Sequence, residues 1–323
     1  MSDKNRKYSV LFVDDEPRVT SALKAMFRRE YEVGVANSGA EALDTMRQKP
    51  FDVIVSDQRM PGMFGNELLA KVSKHHPQTM RILLTGFMDK KAIVDSINEG
   101  EVYRFINKPW RNEEMREVVA EAALASEIPV EPGFIDQHDK ETSTTSVASA
   151  IATIDRALKG DHALLMMEPA KDIRTQIRRF CNDNSIMIYG TQSIEQAVAA
   201  ATSRESIGVA VIELSHDTES TLQTINLLKQ ARPELITIAL AEEYDARTAV
   251  DLINQGQVFK YLAKPIDLSR FENTIVNAFI KHRFLKKNIA AQRRFKVEKT
   301  KGTLGANLQS MFRRLLGGDP KTS

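Results

Sequence analysis

The sequence predicts two α/β units in tandem, each a parallel sheet covered by helices on both faces. Short apolar or β-branched runs alternate with amphipathic stretches over the first 126 residues, the pattern of βαβ units. A second set of runs follows with the same spacing. Two strings recur 156 residues apart: Ile97-Asn98-Glu99-Gly100-Glu101-Val102 as Ile253-Asn254-Gln255-Gly256-Gln257-Val258, and Lys108-Pro109 as Lys264-Pro265. A period of that length is domain-sized and indicates duplication of a whole unit, not a solenoid. The 323 residues, 42% of them hydrophobic, supply enough apolar material for two cores.

Taken in order, the strand-like runs of the first unit are Tyr8 to Val13, Val53 to Val55, Arg81 to Leu84 and Tyr103 to Ile106. Between the first two, Ser38 and Glu41 form an S-x-x-E capping box ahead of Ala42, Leu43 and Met46, which predicts a helix start. Residues 127 to 148 change character, with Pro129, Pro132, Gly133 and a Thr/Ser cluster from Thr142 to Ser146; they read as a linker, followed by a short amphipathic helix around Ala148 to Leu158. The second set of runs is Ala163 to Met167, Val209 to Ile212, Leu235 to Leu240 and Val258 to Leu262. From Pro265 a helical pattern places Leu268, Phe271, Ile275, Phe279, Leu285 and Ile289 on one broad face. After Gly302, Leu304, Leu308, Met311, Phe312, Leu315 and Leu316 outline a separate amphipathic helix that stops at Gly317-Gly318. The expected division is therefore 1–126, a linker with a short helix over 127–160, 161–285, and a basic extension over 286–323.

Composition narrows the class. A single cysteine, Cys181, excludes a disulfide framework or a cysteine zinc site and points to a reducing compartment. The polar stretch Met1 to Lys7 has no signal-peptide core, and no apolar run reaches the eighteen residues of a membrane span. A cytoplasmic protein is expected. The net charge of +2 hides an asymmetry: residues 281–323 hold 12 Lys and Arg against two acids, so the body is acidic and the tail basic. Such a tail suits an anionic partner, whether nucleic acid, membrane surface or an acidic protein face.

The chemistry gathers in the first unit. Asp14 and Asp15 follow the first run, Asp57 and Thr85 end later ones, and Lys108 follows the last, so five polar groups are expected on one edge of the sheet, where open parallel sheets bind ligands. Three carboxylates so close repel unless a cation joins them, and oxygen-only ligands suit Mg²⁺. Phosphoryl transfer, which depends on positioning and charge stabilisation, fits such a set: Asp57 attacks phosphorus while Lys108 and the Thr85 hydroxyl hold the transferred oxygens.

The strings Leu11-Phe12-Val13-Asp14-Asp15-Glu16-Pro17, Ser56-Asp57-Gln58-Arg59-Met60-Pro61-Gly62-Met63, Leu83-Leu84-Thr85-Gly86 and Lys108-Pro109 resemble the receiver domain of two-component response regulators over residues 7–126. The resemblance implies a five-stranded flavodoxin-like sheet, with Asp57 as phosphoacceptor from a histidine kinase or phosphotransfer protein. It further implies Mg²⁺ held by Asp14, Asp15, Asp57 and the backbone carbonyl of Arg59, with Phe105 as a switch aromatic that turns inward as Thr85 moves toward the phosphate. Arg59 and Phe87 occupy positions that tune phosphoryl lifetime in that family. The stretch Arg81 to Trp110 is similar to receivers joined to HD-GYP phosphodiesterases or to nitrogen-regulator-type activators, although neither output follows it here.

Aligning the repeats puts Met166 and Met167 at Asp14 and Asp15, Glu213 at Asp57, Ala241 at Thr85, Tyr261 at Phe105 and Lys264 at Lys108. Two thioethers do not hold magnesium, so the second unit reads as a degenerate receiver-like fold that is not phosphorylated. Glu213 either imitates a phosphorylated aspartate in a fixed ion pair with Lys264 or is a tolerated solvent-facing acid. Elsewhere His138-Asp139 lies in the linker without a histidine cluster, Gly317-Gly318-Asp319 has no catalytic domain around it, and no G-x-x-x-x-G-K-[ST] string occurs. Cys181 reads as packing. No enzymatic output is expected beyond self-phosphorylation and dephosphorylation. Expected output is phosphorylation-gated binding of an unidentified protein, with a homodimer as a further option; the alternatives are a constitutive scaffold, or a membrane or nucleic-acid binder acting through the tail.

Overall fold

Successive strand residues face opposite sides of a sheet, and in the first unit both sides of each inner strand are apolar, which demands helices on both faces. The computed structural model describes residues 6–86, 90–99, 102–127, 162–167, 170–214, 218–243, 245–256 and 258–292. Strands β1 (Ser9–Val13), β2 (Glu32–Ala36), β3 (Val53–Asp57), β4 (Met80–Thr85) and β5 (Arg104–Asn107) form a parallel sheet of order β2-β1-β3-β4-β5. Helices α1 (Pro17–Phe27), α2 (Gly39–Gln48), α3 (Gly65–His75), α4 (Lys90–Asn98) and α5 (Asn112–Ser126) connect and flank them. Val10, Phe12, Val53, Val55, Ile82 and Leu84 pack with Leu23 and Phe27 of α1 and Met115 and Val119 of α5. The opposite faces of those strands, Leu11, Val13, Ile54 and Leu83, pack with Met46, Leu68, Val72 and Ile93 of α2, α3 and α4.

The second unit repeats the arrangement. Strands β6 (Ala163–Met167), β7 (Met187–Gly190), β8 (Ile207–Glu213), β9 (Ile236–Ala241) and β10 (Lys260–Ala263) form a parallel sheet of order β10-β9-β8-β6-β7, the same order as the first. Helices Lys171–Asp183 and Leu268–Lys287 cover one face; helices Ile194–Ser203, Thr218–Ala231 and Ala246–Asp251 cover the other. The last of these passes directly into a π-helical turn, Leu252–Gly256.

Sequence periodicity located four strands of each sheet but left β2 and β7 unnamed. Both are short edge strands of half-exposed residues, Glu32-Val33-Gly34-Val35-Ala36 and Met187-Ile188-Tyr189-Gly190, and lack an apolar run. The capping box forms with one change: Glu41 N–H donates to Ser38 Oγ (3.2 Å), but the Glu41 carboxylate accepts from Asn37 N–H (2.7 Å), one residue before the cap. Ser193 and Gln196 repeat this pair of bonds at the matching helix. Phe271, Ile275, Phe279 and Leu285 are buried, but Ile289 is 74% exposed, because Leu268–Lys287 ends before it and a separate four-residue turn carries it. The linker helix around 148–158, the helix over 304–316, His138, Asp139, Phe87 and Gly317-Gly318-Asp319 lie outside the described residues. Among the described residues no helix is long and apolar enough to cross a membrane.

Cys181 is fully buried, and burial pushes its thiol up to about 12, which keeps it protonated and packed. His282 seats its ring against Gly208, where a Cβ would lie 2.5 Å from the ring, and its Nδ1 lies 2.9 Å from the Glu234 carbonyl oxygen. Burial holds the imidazole below its ordinary value, against the partial offset of Glu234. Burial and then the charge of Lys281 likewise push Lys229 down to about 7. Lys229, charged in the unfolded chain throughout this range, takes up the rest of its proton in the folded chain only near pH 6, and so adds to the loss of stability between pH 7 and about 6. His282 takes up its proton more readily unfolded, so stability falls as the pH drops below about 6.5. Urea unfolding between pH 7 and 5 should show this decline, and His282→Gln should make it shallower, chiefly below about pH 6, where Lys229 no longer contributes.

Candidate functional site

The sheet order reverses between β1 and β3, so a crevice opens where their carboxyl ends diverge. The polar residues arrive there because each directly ends or follows a strand. Asp14, 1% exposed, comes after β1; its N–H donates to Ala36 O (3.2 Å), and its Oδ1 accepts from Glu16 N–H (3.0 Å) just before Pro17 opens α1. Asp57, also buried, ends β3 and its Oδ2 accepts from Arg59 N–H (3.1 Å). Thr85 ends β4 in register with Asn107, is buried, and its carbonyl oxygen accepts from Lys108 N–H (2.8 Å).

Lys108 joins these groups. Its Nζ lies 2.7 Å from Asp57 Oδ1 and 3.1 Å from Asp14 Oδ2, so one ammonium stands between two carboxylates. Burial alone would lower its pKa, but the hydrogen bond and charge of Asp57, followed by those of Asp14, together hold it above the ordinary lysine value. Trp110 lies beside it, its ring centroid 5.9 Å from Nζ. Asp15 and Arg59 are exposed, and among the described residues no three Asp, Glu, His or Cys side chains gather at metal-ligand spacing. The expected trio of carboxylates is therefore a facing pair, Asp14 and Asp57, with Asp15 at the rim. That pair still fits Mg²⁺, which is commonly held by one or two carboxylates and keeps several waters.

Sequence reading overlooked what seats α3 at the site. Gly62 turns the loop at φ +81°, and Gly65 N–H donates to Gln58 O (2.9 Å). The Gln58 and Asn66 side chains hold the same corner: Gln58 Nε2 donates to Asn66 Oδ1 (3.0 Å) and Asn66 N–H to Gln58 Oε1 (3.1 Å). A Cβ on Gly65 would lie 2.2 Å from the Asp57 carbonyl oxygen, so only glycine allows this approach. The signal available was a second glycine three residues after Pro61-Gly62.

The corresponding edge of the second sheet has the same backbone bonds and different side chains. Lys264 N–H donates to Ala241 O (2.8 Å), as Lys108 does to Thr85, and Leu214 N–H donates to Leu240 O (2.7 Å), as Gln58 does to Leu84 (3.0 Å). Met166 is buried in the core, and Met167 packs at its margin. Lys264 Nζ pairs with Glu213 Oε1 (3.3 Å) and Glu242 Oε1 (3.0 Å); the Lys264 and Glu213 side chains are only 7% and 8% exposed. Glu213 is thus not a solvent-facing acid, because Lys264 draws its carboxylate inward. Tyr261 is buried like Phe105, but its hydroxyl is tied to Glu243 O and Asp245 N–H, both at 3.3 Å.

Lys108→Ala should destabilise the first unit by roughly 1–3 kcal/mol at pH 7, the buried-pair value discounted for the lysine's partial exposure. The gap from wild type should narrow in urea unfolding at alkaline pH above about 10.4, where the stabilisation from Lys108 itself fades. Gly65→Ala should cost a similar ~1–3 kcal/mol by overpacking against Asp57.

The response regulator receiver domain family matches residues 10–120. The hydrogenase transcriptional regulatory protein HoxA of Cupriavidus necator is 38% identical over 125 residues, 39% of this chain and 26% of that protein. The DNA-binding transcriptional regulator NtrC of Escherichia coli is 27% identical over 150 residues, 46% of this chain and 32% of that protein. A signal receiver domain of an HD domain-containing protein from Pseudomonas fluorescens is 31% identical, covering 39% of this chain and 94% of its own, with a TM-score of 0.38. The chain spans about a quarter to a third of the length of these curated relatives. With Asp14, Asp57, Thr85 and Lys108 assembled at the ends of its strands, the segment 10–120 is a receiver domain of two-component response regulators.

Proposed function

We propose that the first unit accepts a phosphoryl group on Asp57 from a phosphohistidine of a histidine kinase or phosphotransfer protein and loses it by hydrolysis. The observation that carries this reading is the single ammonium of Lys108 set between Asp57 and Asp14 at the sheet's switch point. An Asp57 carboxylate oxygen forms the bond to phosphorus as the phosphorus–nitrogen bond breaks and the imidazole departs. Lys108 and the Thr85 hydroxyl hold the transferred oxygens. Asp14, Asp15, Asp57 and the Arg59 carbonyl are the residues to hold Mg²⁺, which supplies charge neutralisation for the incoming phosphoryl group.

The division we assign is a receiver over 1–126, a linker over 127–160, a degenerate receiver over 161–285 and a basic extension over 286–323. The same strand order and the same backbone bonds at the strand ends support kinship of the two units. In the second unit the Lys264–Glu213 pair stands where Lys108 and Asp57 stand in the first, and we read it as a fixed substitute for a switchable site. The protein acts in the cytoplasm and signals by protein binding rather than by an enzymatic output.

Incubation with acetyl phosphate and Mg²⁺ should add one phosphoryl group by intact mass, located at Asp57. Asp57→Asn or chelation of Mg²⁺ should abolish it, and Thr85→Ala should retain acceptance while weakening the conformational response. A phosphoryl group appearing at Glu213, or undiminished in Asp57→Asn, would contradict the assignment.

A further inference from the structure

The repeated string Ile-Asn-x-Gly-x-Val has a physical use that the phosphoryl chemistry leaves unexplained. Its two asparagines reach reciprocally across the boundary between the units. Asn254 Oδ1 accepts from Phe105 N–H (2.9 Å) and Asn254 Nδ2 donates to Phe105 O (3.0 Å). Asn98 Oδ1 accepts from Tyr261 N–H (3.0 Å) and Asn98 Nδ2 donates to Tyr261 O (2.8 Å). Lys260 Nζ adds a bond to the Asn98 carbonyl oxygen.

Both clasped strands, β5 and β10, are edge strands of their sheets. An edge strand presents a row of unpaired N–H and C=O groups. A side-chain amide, with donor and acceptor side by side, satisfies both groups of one residue as a neighbouring strand would. Behind the clasps, Ile93, Val94, Ile97 and Phe105 share one continuous apolar cluster with Ala246, Ala249, Val250, Ile253 and Tyr261. The π turn carries Asn254, and Asn226 Nδ2 braces that turn by donating to Gln255 O (2.9 Å).

The clasped residue Phe105 lies three positions before Lys108 on the strand that delivers this lysine to Asp57, and Thr85 is in register with Asn107 at the same strand end. A phosphoryl group on Asp57 would draw Lys108 and Thr85 toward its oxygens and so act on the strand that Asn254 grips. We propose that the second unit is the receiver's own output partner: the reciprocal asparagine clasp closes on the α4–β5 face while Asp57 is unmodified and opens when Asp57 is phosphorylated. This rests on the assignment of Asp57 as phosphoacceptor. Because coupling between two sites is reciprocal, loosening the clasp must also strengthen binding at Asp57.

The test uses the full chain with Mg²⁺ and beryllofluoride, a phosphoryl mimic, titrated through the fluorescence of Trp110, the single tryptophan. Hydrogen exchange at the Phe105 and Tyr261 amides reports the clasp directly and requires no variant. The expected result is faster exchange at both amides once beryllofluoride binds, and half-saturation at about fivefold or more lower beryllofluoride in Asn254→Ala and Asn98→Ala. Asn254→Asp, which keeps the acceptor and loses the donor, should shift in the same direction. If the Trp110 signal saturates while both amides stay protected and the variants bind as wild type does, the junction is inert packing and the proposal is overturned while the phosphoacceptor assignment stands. If wild type shows no Mg²⁺-dependent beryllofluoride response and acetyl phosphate leaves Asp57 unmodified, that assignment fails and the coupling falls with it.

Discussion

Two carboxylates brought face to face at a sheet edge repel, and the first unit is organised around the ammonium that lets them stay there. Lys108 reaches Asp14 and Asp57 because β5 ends one residue before it, and it stays charged because their attraction outweighs its partial burial. The neighbouring structure serves that arrangement: Pro17 starts α1 just beyond Asp14, and Gly65 lets α3 approach the Asp57 carbonyl without a Cβ in the way. Parallel strands make this economical, since each delivers its terminal side chain to the same edge.

The second sheet has the same frame with different side chains at its carboxyl edge. Its strand order and the bonds that place Lys264 and Leu214 match those of Lys108 and Gln58. Methionine fills the place of a carboxylate and is absorbed into the core, which is the fate expected of an apolar side chain at a buried strand end. A glutamate in the aspartate's place still meets the lysine, with Glu242 as a second acid. Each lysine thus stands between two acids, Asp57 and Asp14 in the first unit and Glu213 and Glu242 in the second, and the units differ in the residues that stand beside the pair.

Between the units, the same physics that isolates an edge strand from solvent joins the halves of the chain. An unpaired strand edge is a liability, and an asparagine from the duplicated segment meets it in each direction. A residue whose side chain fits the neighbouring unit's edge serves twice when both units carry it.

Much was legible without coordinates. Apolar runs longer than turns and shorter than helices located β1, β3, β4 and β5, and the residues that end or directly follow them, Asp14, Asp57, Thr85 and Lys108, could be placed on one edge because parallel strands all finish at the same side of the sheet. The strings repeated 156 residues apart pointed to two similar units, and the two sheets share one strand order. The sequence did not reveal β2 and β7, since these two edge strands carry half-exposed residues with no apolar signature, whereas the edge strand β5 is buried over three of its residues and was legible. Nor did it show that Asp15 stands at the rim, that Ile289 lies beyond the helix break, or that Glu213 turns inward to Lys264. Those outcomes depend on which neighbour a side chain meets. The partnership of Asn98 with Tyr261 and of Asn254 with Phe105 belongs to the tertiary structure alone, because a hydrogen bond across about 150 residues of chain leaves no local pattern, only the recurrence of the asparagine itself.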